Sequence, residues 1–290
     1  RSSKNRGITQ IAVDSPSIVH KKMKTFAYPP PSDGKPFRLT MGLRELDPAI
    51  WLECEGIQSD LKQRAELVQN KREIVFQELP GHFDAAFQFA EMITGNLRKF
   101  HEVSFNINKE NEHPFIQLSA VIAEDLCLLK KIDGKWVLVA GLVVFPSRWD
   151  LREKVGLDID AIHAPVPGYR GELQPLMSYT FDRISDQRPV WRKNWSLHQS
   201  SQLHEPSYIP QHSLPANYWW RTERQTLTRL PESDYLLFTI RNRAEPLAWI
   251  KTDQEAASAF AQTLRSINPQ MLEYKRIVAD RDALVTYLLS

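Results

Sequence analysis

The run Leu126-Cys127-Leu128-Leu129-Lys130-Lys131-Ile132-Asp133-Gly134-Lys135-Trp136-Val137-Leu138-Val139-Ala140-Gly141-Leu142-Val143-Val144-Phe145 decides the fold class. Two stretches rich in apolar and β-branched residues flank an Asp-Gly pair, a strong short-range hairpin signal. The same pattern recurs downstream. Thr222 to Thr228 alternates through threonines, Pro231-Glu232-Ser233-Asp234 turns the chain, and Tyr235 to Ile240 returns as a second strand. Between the hairpins, Leu151–Val155, Asp160–His163 and Leu173–Ile184 have helical spacing, with Gly156, Pro165 and Pro167 punctuating them.

Helices also flank the hairpins. Asp47-Pro48 pairs an N-cap residue with proline at the first helical position. A helical pattern runs from about Ile57 to Ile74, and Asp84 can cap another that carries Phe87, Ala90, Ile93 and Leu97. Near the end, one helix starts at Thr252 or Asp253 and a second is announced by Asn268-Pro269. These elements predict an α+β protein with an antiparallel sheet. Residues 1–37, polar and basic with Pro29-Pro30-Pro31, read as an extended N-terminal arm, and 199–217 as a long polar loop.

Composition removes several functions. The 290 residues carry 37 basic and 35 acidic side chains, a net charge of +2, which argues against a general binder of nucleic acid or anionic membrane. No stretch approaches the roughly 18 consecutive apolar residues of a membrane span. Two cysteines, Cys54 and Cys127, cannot ligate an ordinary iron–sulfur cluster or an all-cysteine zinc site, nor build a disulfide framework. A reducing compartment, the cytoplasm, is the default expectation. There is no phosphate loop, GxSxG elbow, HExxH or CxxC, and 11 glycines leave little material for a dinucleotide cradle.

The polar strand Arg221–Arg229 places Arg221, Glu223, Gln225, Leu227 and Arg229 on one face and Thr222, Arg224, Thr226 and Thr228 on the other. Charge on both faces suits an edge strand that deters aggregation, or a strand lining a polar cavity where arginine stabilises an anion or a polarised oxygen. Among eight histidines, His163 stands on a short apolar-backed element fixed by prolines, where a neutral imidazole suits haem iron or another metal; a bond to a backbone carbonyl is the plainer role. His198, His204 and His212 match no metal spacing and read as solvated loop histidines, while His20, His82, His101 and His113 carry little signal. Trp149, Trp191, Trp195, Trp219 and Trp220 lie near the polar motifs and suit either core packing or the wall of a planar cofactor. Asn194-Trp195-Ser196 formally matches a glycosylation sequon, with nothing else pointing to secretion.

Several ordered blocks carry a family resemblance. Phe145-Pro146-Ser147-Arg148-Trp149, Glu153-Lys154-Val155-Gly156, Ile162-His163-Ala164-Pro165-Val166-Pro167-Gly168-Tyr169 and Arg188-Pro189-Val190-Trp191-Arg192-Lys193-Asn194-Trp195 resemble runs in the haem-dependent oxidative N-demethylase α-subunit family. So do Arg221 to Leu227 with Arg229-Leu230-Pro231, and upstream Met41-Gly42-Leu43, Leu46-Asp47, Trp51-Leu52 and Glu124-Asp125-Leu126. The resemblance implies a single PAS-like domain over 38–290, with helical additions, binding haem b. It implies oxidation of a small secondary amine such as dimethylamine with O2, releasing formaldehyde, and reducing equivalents from NADPH through flavin and iron–sulfur components on other chains. A haem-binding gas or redox sensor, or a carrier without turnover, is the rival expectation. By the same resemblance His163 is the iron ligand. Arg221, Glu223 and Arg224 are candidates for the polar catalytic side, an arginine steadying charge on oxygen and a carboxylate holding a protonated amine. Arg148 and Arg192 are candidates for the haem propionates, with Trp149 beside the cofactor.

Overall fold

The computed structural model describes residues 25–290; His20 and the first part of the arm lie outside the described residues. At its centre is an antiparallel sheet of seven strands in the order β1-β5-β6-β7-β3-β4-β2. The two predicted hairpins supply its middle: β3 (Asp125–Ile132) with β4 (Lys135–Leu142), and β6 (Trp219–Arg229) with β7 (Tyr235–Pro246). Asp133 and Gly134 both have positive φ, 49° and 78°, as the tight turn between twisted strands requires. β7 pairs with β3 and so joins the hairpins, while β5 (Val190–His198) adds to β6. Short β1 (Arg44–Glu45) and β2 (Phe76–Glu78) finish the two edges.

The pleat sorts side chains between two covered faces. On the first, Cys127, Leu129, Leu138, Leu227 and Leu236 meet the helical insert between β4 and β5. That insert comprises a 3-10 turn at Leu151–Glu153, α5 (Ile159–His163) and α6 (Gln174–Arg183), as the spacing predicts. Gly141 shows how closely this layer sits. A Cβ there would lie 2.9 Å from Leu151 Cδ1 and 3.3 Å from Leu126 O, so Gly141→Ala should cost about 1–3 kcal/mol in chemical denaturation.

The second face carries the larger core. The Ile57–Ile74 pattern forms two pieces, α1 (Gln58–Asn70) and α2 (Arg72–Val75), interrupted at Lys71, whose φ is −137°. α3 (Phe83–Phe100) begins one residue before Asp84, which stands in its first turn and favours the positive dipole end without capping it. Its buried stripe, Ala86, Phe89, Ala90, Ile93 and Leu97, recurs at helical spacing and packs on Leu126, Leu128 and Leu237. Between α3 and β3 lies short α4 (Pro114–Leu118). At the other end of this face, Leu197 and Trp220 meet α7 (Gln254–Ser266), α8 (Pro269–Tyr274) and α9 (Arg281–Leu289). Asp253 and Asn268 cap the first two, each accepting a backbone N–H in the following turn.

A buried polar seam ties the hairpins together. Asp125 receives Arg64 Nη1 at 2.7 Å, the backbone N–H groups of Val144 and Phe145 at 2.8 and 3.0 Å, and Asn242 Nδ2 at 3.3 Å. Arg64 and Asp125 side chains are both fully buried. The outer side of β5 is closed differently. Beyond its pairing with β1 at Val190–Trp191, the carbonyls of Trp195 and Leu197 accept from Lys275 Nζ (2.8 Å) and Arg148 Nη2 (3.3 Å).

Candidate functional site

The turn bearing His163 is built locally. Asp158 accepts from Ala161 N at 2.8 Å and starts α5, whose Ile159 is buried in the first-face core. His163 ends the helix. Its Nδ1 donates to Ile159 O at 2.7 Å, and its ring stacks on Tyr169 with centroids 5.4 Å apart. Gly168, at φ +80°, reverses the chain so that Tyr169 reaches this position. Burial pushes the His163 pKa below its usual range, outweighing the carbonyl bond, so the ring is neutral. With the proton on Nδ1, the Nε2 lone pair is free, and it has no hydrogen-bond partner among the described residues. That is the tautomer a metal requires.

Across from this turn, β5 and β6 contribute polar side chains from the same sheet face. Arg192 stands opposite Gln225, and Asn194 opposite Glu223. Glu223 Oε2 accepts from Gln225 Nε2 at 2.9 Å and Asn194 Nδ2 at 3.4 Å, which fixes its carboxylate. Arg192 is different: among the described residues its side chain makes no hydrogen bond, and its Nε is buried without a partner. Burial lowers its pKa, opposed by the Glu223 carboxylate, and its charge in turn disfavours protonation of His163. Ile162, Val166, Trp149 and Phe238 pack as apolar neighbours around the same core. The group therefore joins a free imidazole nitrogen, an unpaired guanidinium and an oriented carboxylate beside apolar walls.

The remaining sequence candidates lie elsewhere or are already occupied. β6 is flanked along its length by β5 and β7, which overturns the edge-strand reading. Arg221 shares the site face but is buried, donating to Phe145 O at 2.7 Å and Asn242 Oδ1 at 3.0 Å. Arg224 points to the opposite face, where it caps Ile50 O and Trp51 O and faces Glu53 at 3.6 Å. Arg148, in the left-handed region at φ 62°, is saturated by Glu205 (2.9 Å), Lys275 O (3.0 Å) and Leu197 O. Of the two arginines expected at propionates, only Arg192 thus has free donors.

Two histidines expected in solvent are structural. His204 Nδ1 donates to Val144 O at 2.8 Å. His198 ends β5 at 1% exposure; Nδ1 donates to Glu205 Oε2 at 2.6 Å and Nε2 accepts from Ser196 Oγ at 2.8 Å. This Ser196–His198–Glu205 line left no readable signal in sequence, because a loop brings Glu205 back to the strand end. Burial lowers the His198 pKa to about 4, and that of His113 likewise to about 4. The unfolded chain then binds more protons than the folded one between about pH 6.5 and 4, so stability is full above that window and is lost as pH falls through it. Urea midpoints should be flat from pH 7 to 8 and drop clearly by pH 5.

Among the described residues no group of three or more His, Cys, Asp or Glu side chains could enclose a metal ion. A cofactor that asks for one imidazole and offers carboxylates of its own is different. It matches His163 Nε2 and the orphaned Arg192, so the residues present fit haem. A surface cleft of about 330 Å³, bordered by Trp195 and Trp220, lies at the far end of the second face. Compared with known families, residues 42–285 match the family described as haem-dependent oxidative N-demethylase, alpha subunit-like. A match over well over half the chain shows membership: this chain belongs to the haem-dependent oxidative N-demethylase, alpha subunit-like family.

Proposed function

We propose that this protein is the haem-bearing subunit of an oxidative N-demethylase, acting with O2 on a small secondary amine of the dimethylamine class and releasing formaldehyde. The observation that carries this reading is the pairing of a free His163 Nε2 with an unpartnered Arg192 on one apolar-walled sheet face. The seven-stranded antiparallel sheet, with a helical insert over the face that bears His163, supports a PAS-like domain. Haem b bound there would supply reductive activation of O2.

The chain's own residues do the rest. His163 would hold the iron, its Nδ1–H anchored to Ile159 O so that Nε2 stays basic and oriented. Arg192 would pair with a propionate, gaining the charge-assisted bonds it lacks. Glu223, steadied by Gln225 and Asn194, would bind the substrate ammonium and accept its proton before oxidation. Arg221 and Arg148 act as positioning residues by fixing the Phe145–Trp149 segment, and Trp149 with Ile162 and Val166 excludes water. Arg224 steadies the opposite face. Electrons would come from flavin and iron–sulfur components on other chains, consistent with an alpha subunit-like member of a larger assembly.

The test is to reconstitute the protein with haem, supply reductant, O2 and a panel of secondary amines, and assay formaldehyde. Product with dimethylamine or a near homologue supports the reading. Haem reduction and O2 binding without product from any amine would favour the sensor or carrier.

A further inference from the structure

We infer that Glu205, His198 and Ser196 form a proton relay that feeds the Glu223 side of the site from a solvent cleft; the inference rests on the function proposed above. Glu205 borders a cleft of about 260 Å³ together with Gln199, Gln202 and His204. From there the contacts run inward as far as Ser196. Glu205 Oε2 meets His198 Nδ1 at 2.6 Å, and His198 Nε2 meets Ser196 Oγ at 2.8 Å. Ser196 stands opposite Arg221 on the site face, one same-face step along β5 from Asn194, which bonds Glu223. Diagonal neighbours of this kind lie roughly 7–8 Å apart between their backbones, a gap that the long Glu223 side chain and one bridging water would span.

The geometry is more than a buried histidine needs. One hydrogen bond at each nitrogen satisfies the ring, yet Ser147 Oγ also approaches Nε2, at 3.4 Å. Glu205 is held from both sides, by Arg148 at its Oε1 and by backbone bonds with Pro146 O and Arg148 N. The imidazole is thus clamped between an ionised acid and a hydroxyl, in the order acid, base, hydroxyl. The chemistry has a use for it. Oxidation of dimethylamine to methylamine and formaldehyde consumes one O2, two electrons and two protons and leaves one water. The electrons come from the external reductant and the protons from solvent. Inward transfer begins from the ring with its proton on Nε2. A proton taken up at Glu205 passes to the bare Nδ1, the Nε2 proton passes to Ser196 Oγ, and the hydroxyl proton moves on towards Glu223. The ring is left with its proton on Nδ1, as in the resting contacts. The ring's return to its starting tautomer completes the cycle.

The same three residues in the same order also describe a nucleophilic triad. Ser196, however, lies within a strand paired to β6 along its length and not on a turn that would expose its hydroxyl for attack.

The experiment uses full-length protein with haem bound, comparing Ser196→Ala, His198→Gln and Glu205→Gln with the unaltered chain. Expected for all three are an unchanged haem spectrum and haem content, a roughly 10- to 100-fold slower formaldehyde rate, and hydrogen peroxide in its place. Ser196→Ala leaves the His198–Glu205 bond intact, so it guards against misfolding of the other two. In the haem-free protein, imidazole NMR should find His198 with its proton on Nδ1 and a strongly deshielded signal that Glu205→Gln removes. Unchanged coupling of O2 use to product in Ser196→Ala would overturn the relay, as would covalent labelling of Ser196 by a fluorophosphonate. If the unaltered chain makes no formaldehyde, the function reading fails, and the relay is then judged by proton uptake on haem reduction, which must slow in Ser196→Ala.

Discussion

His163→Ala should abolish tight haem binding. With haem supplied, the parent protein is expected to give a stoichiometric Soret band typical of imidazole ligation, and the variant a band indistinguishable from free haem. The loss should exceed the roughly 100-fold that removal of an outer-shell partner of a metal ligand costs. Imidazole added to the variant should restore the band, since the turn that carries the ring is held by other groups. Asp158 caps it, Ile159 is buried in the core, and Tyr169 is itself bonded to Asp160. The fold should therefore survive the substitution, with far-UV circular dichroism and melting temperature near those of the parent. A Soret band unaltered in His163→Ala would remove this residue from the iron.

The largest effect on stability should come from Asp125→Ala. Four donors converge on that carboxylate, one of them the guanidinium of Arg64 at zero exposure. Removing it strands a buried positive charge and two backbone N–H groups at once, a loss of about 3–5 kcal/mol. For a chain of this size that corresponds to a fall in melting temperature of roughly 10 °C. Arg64→Met should cost less, because Asp125 then keeps Val144 N, Phe145 N and Asn242 as donors. Equal losses in the two variants would mean that the ion pair alone, and not the backbone bonds, sets the value of the seam. Differential scanning calorimetry on both proteins decides between them.

What the sequence made legible was local. Asp133-Gly134, Asp47-Pro48 and Asn268-Pro269 each act within a few residues, and they mark the β3–β4 turn, a single 3-10 turn at Pro48–Ile50 in place of a full helix, and the start of α8. β5 was harder to read as a strand. Its residues alternate Trp191, Lys193, Trp195 and Leu197 against Arg192, Asn194, Ser196 and His198. The second set looks like loop because it faces a polar site, and the first is broken by Lys193. The same cause hid the distinction among arginines. Nothing in the spacing says that Arg148 is saturated by a loop 57 residues away while Arg192 is left without a partner. The pleat did say that Arg221 and Glu223 share a face and that Arg224 does not. His163 could be singled out because prolines and apolar neighbours surround it in sequence. The Ser196–His198–Glu205 line could not, since its geometry exists only once the loop has closed.

The covered outer side of β5 bears on how this subunit meets others. Lys275 and Arg148 already occupy the Trp195 and Leu197 carbonyls that an incoming strand would need, and β1 pairs with Val190 and Trp191 before them. A partner chain cannot lengthen the sheet by main-chain pairing at Trp195–Leu197, and one that meets this stretch has to dock through side chains. Contacts of that kind can form and dissolve repeatedly, whereas a shared sheet would hold the two chains together for longer.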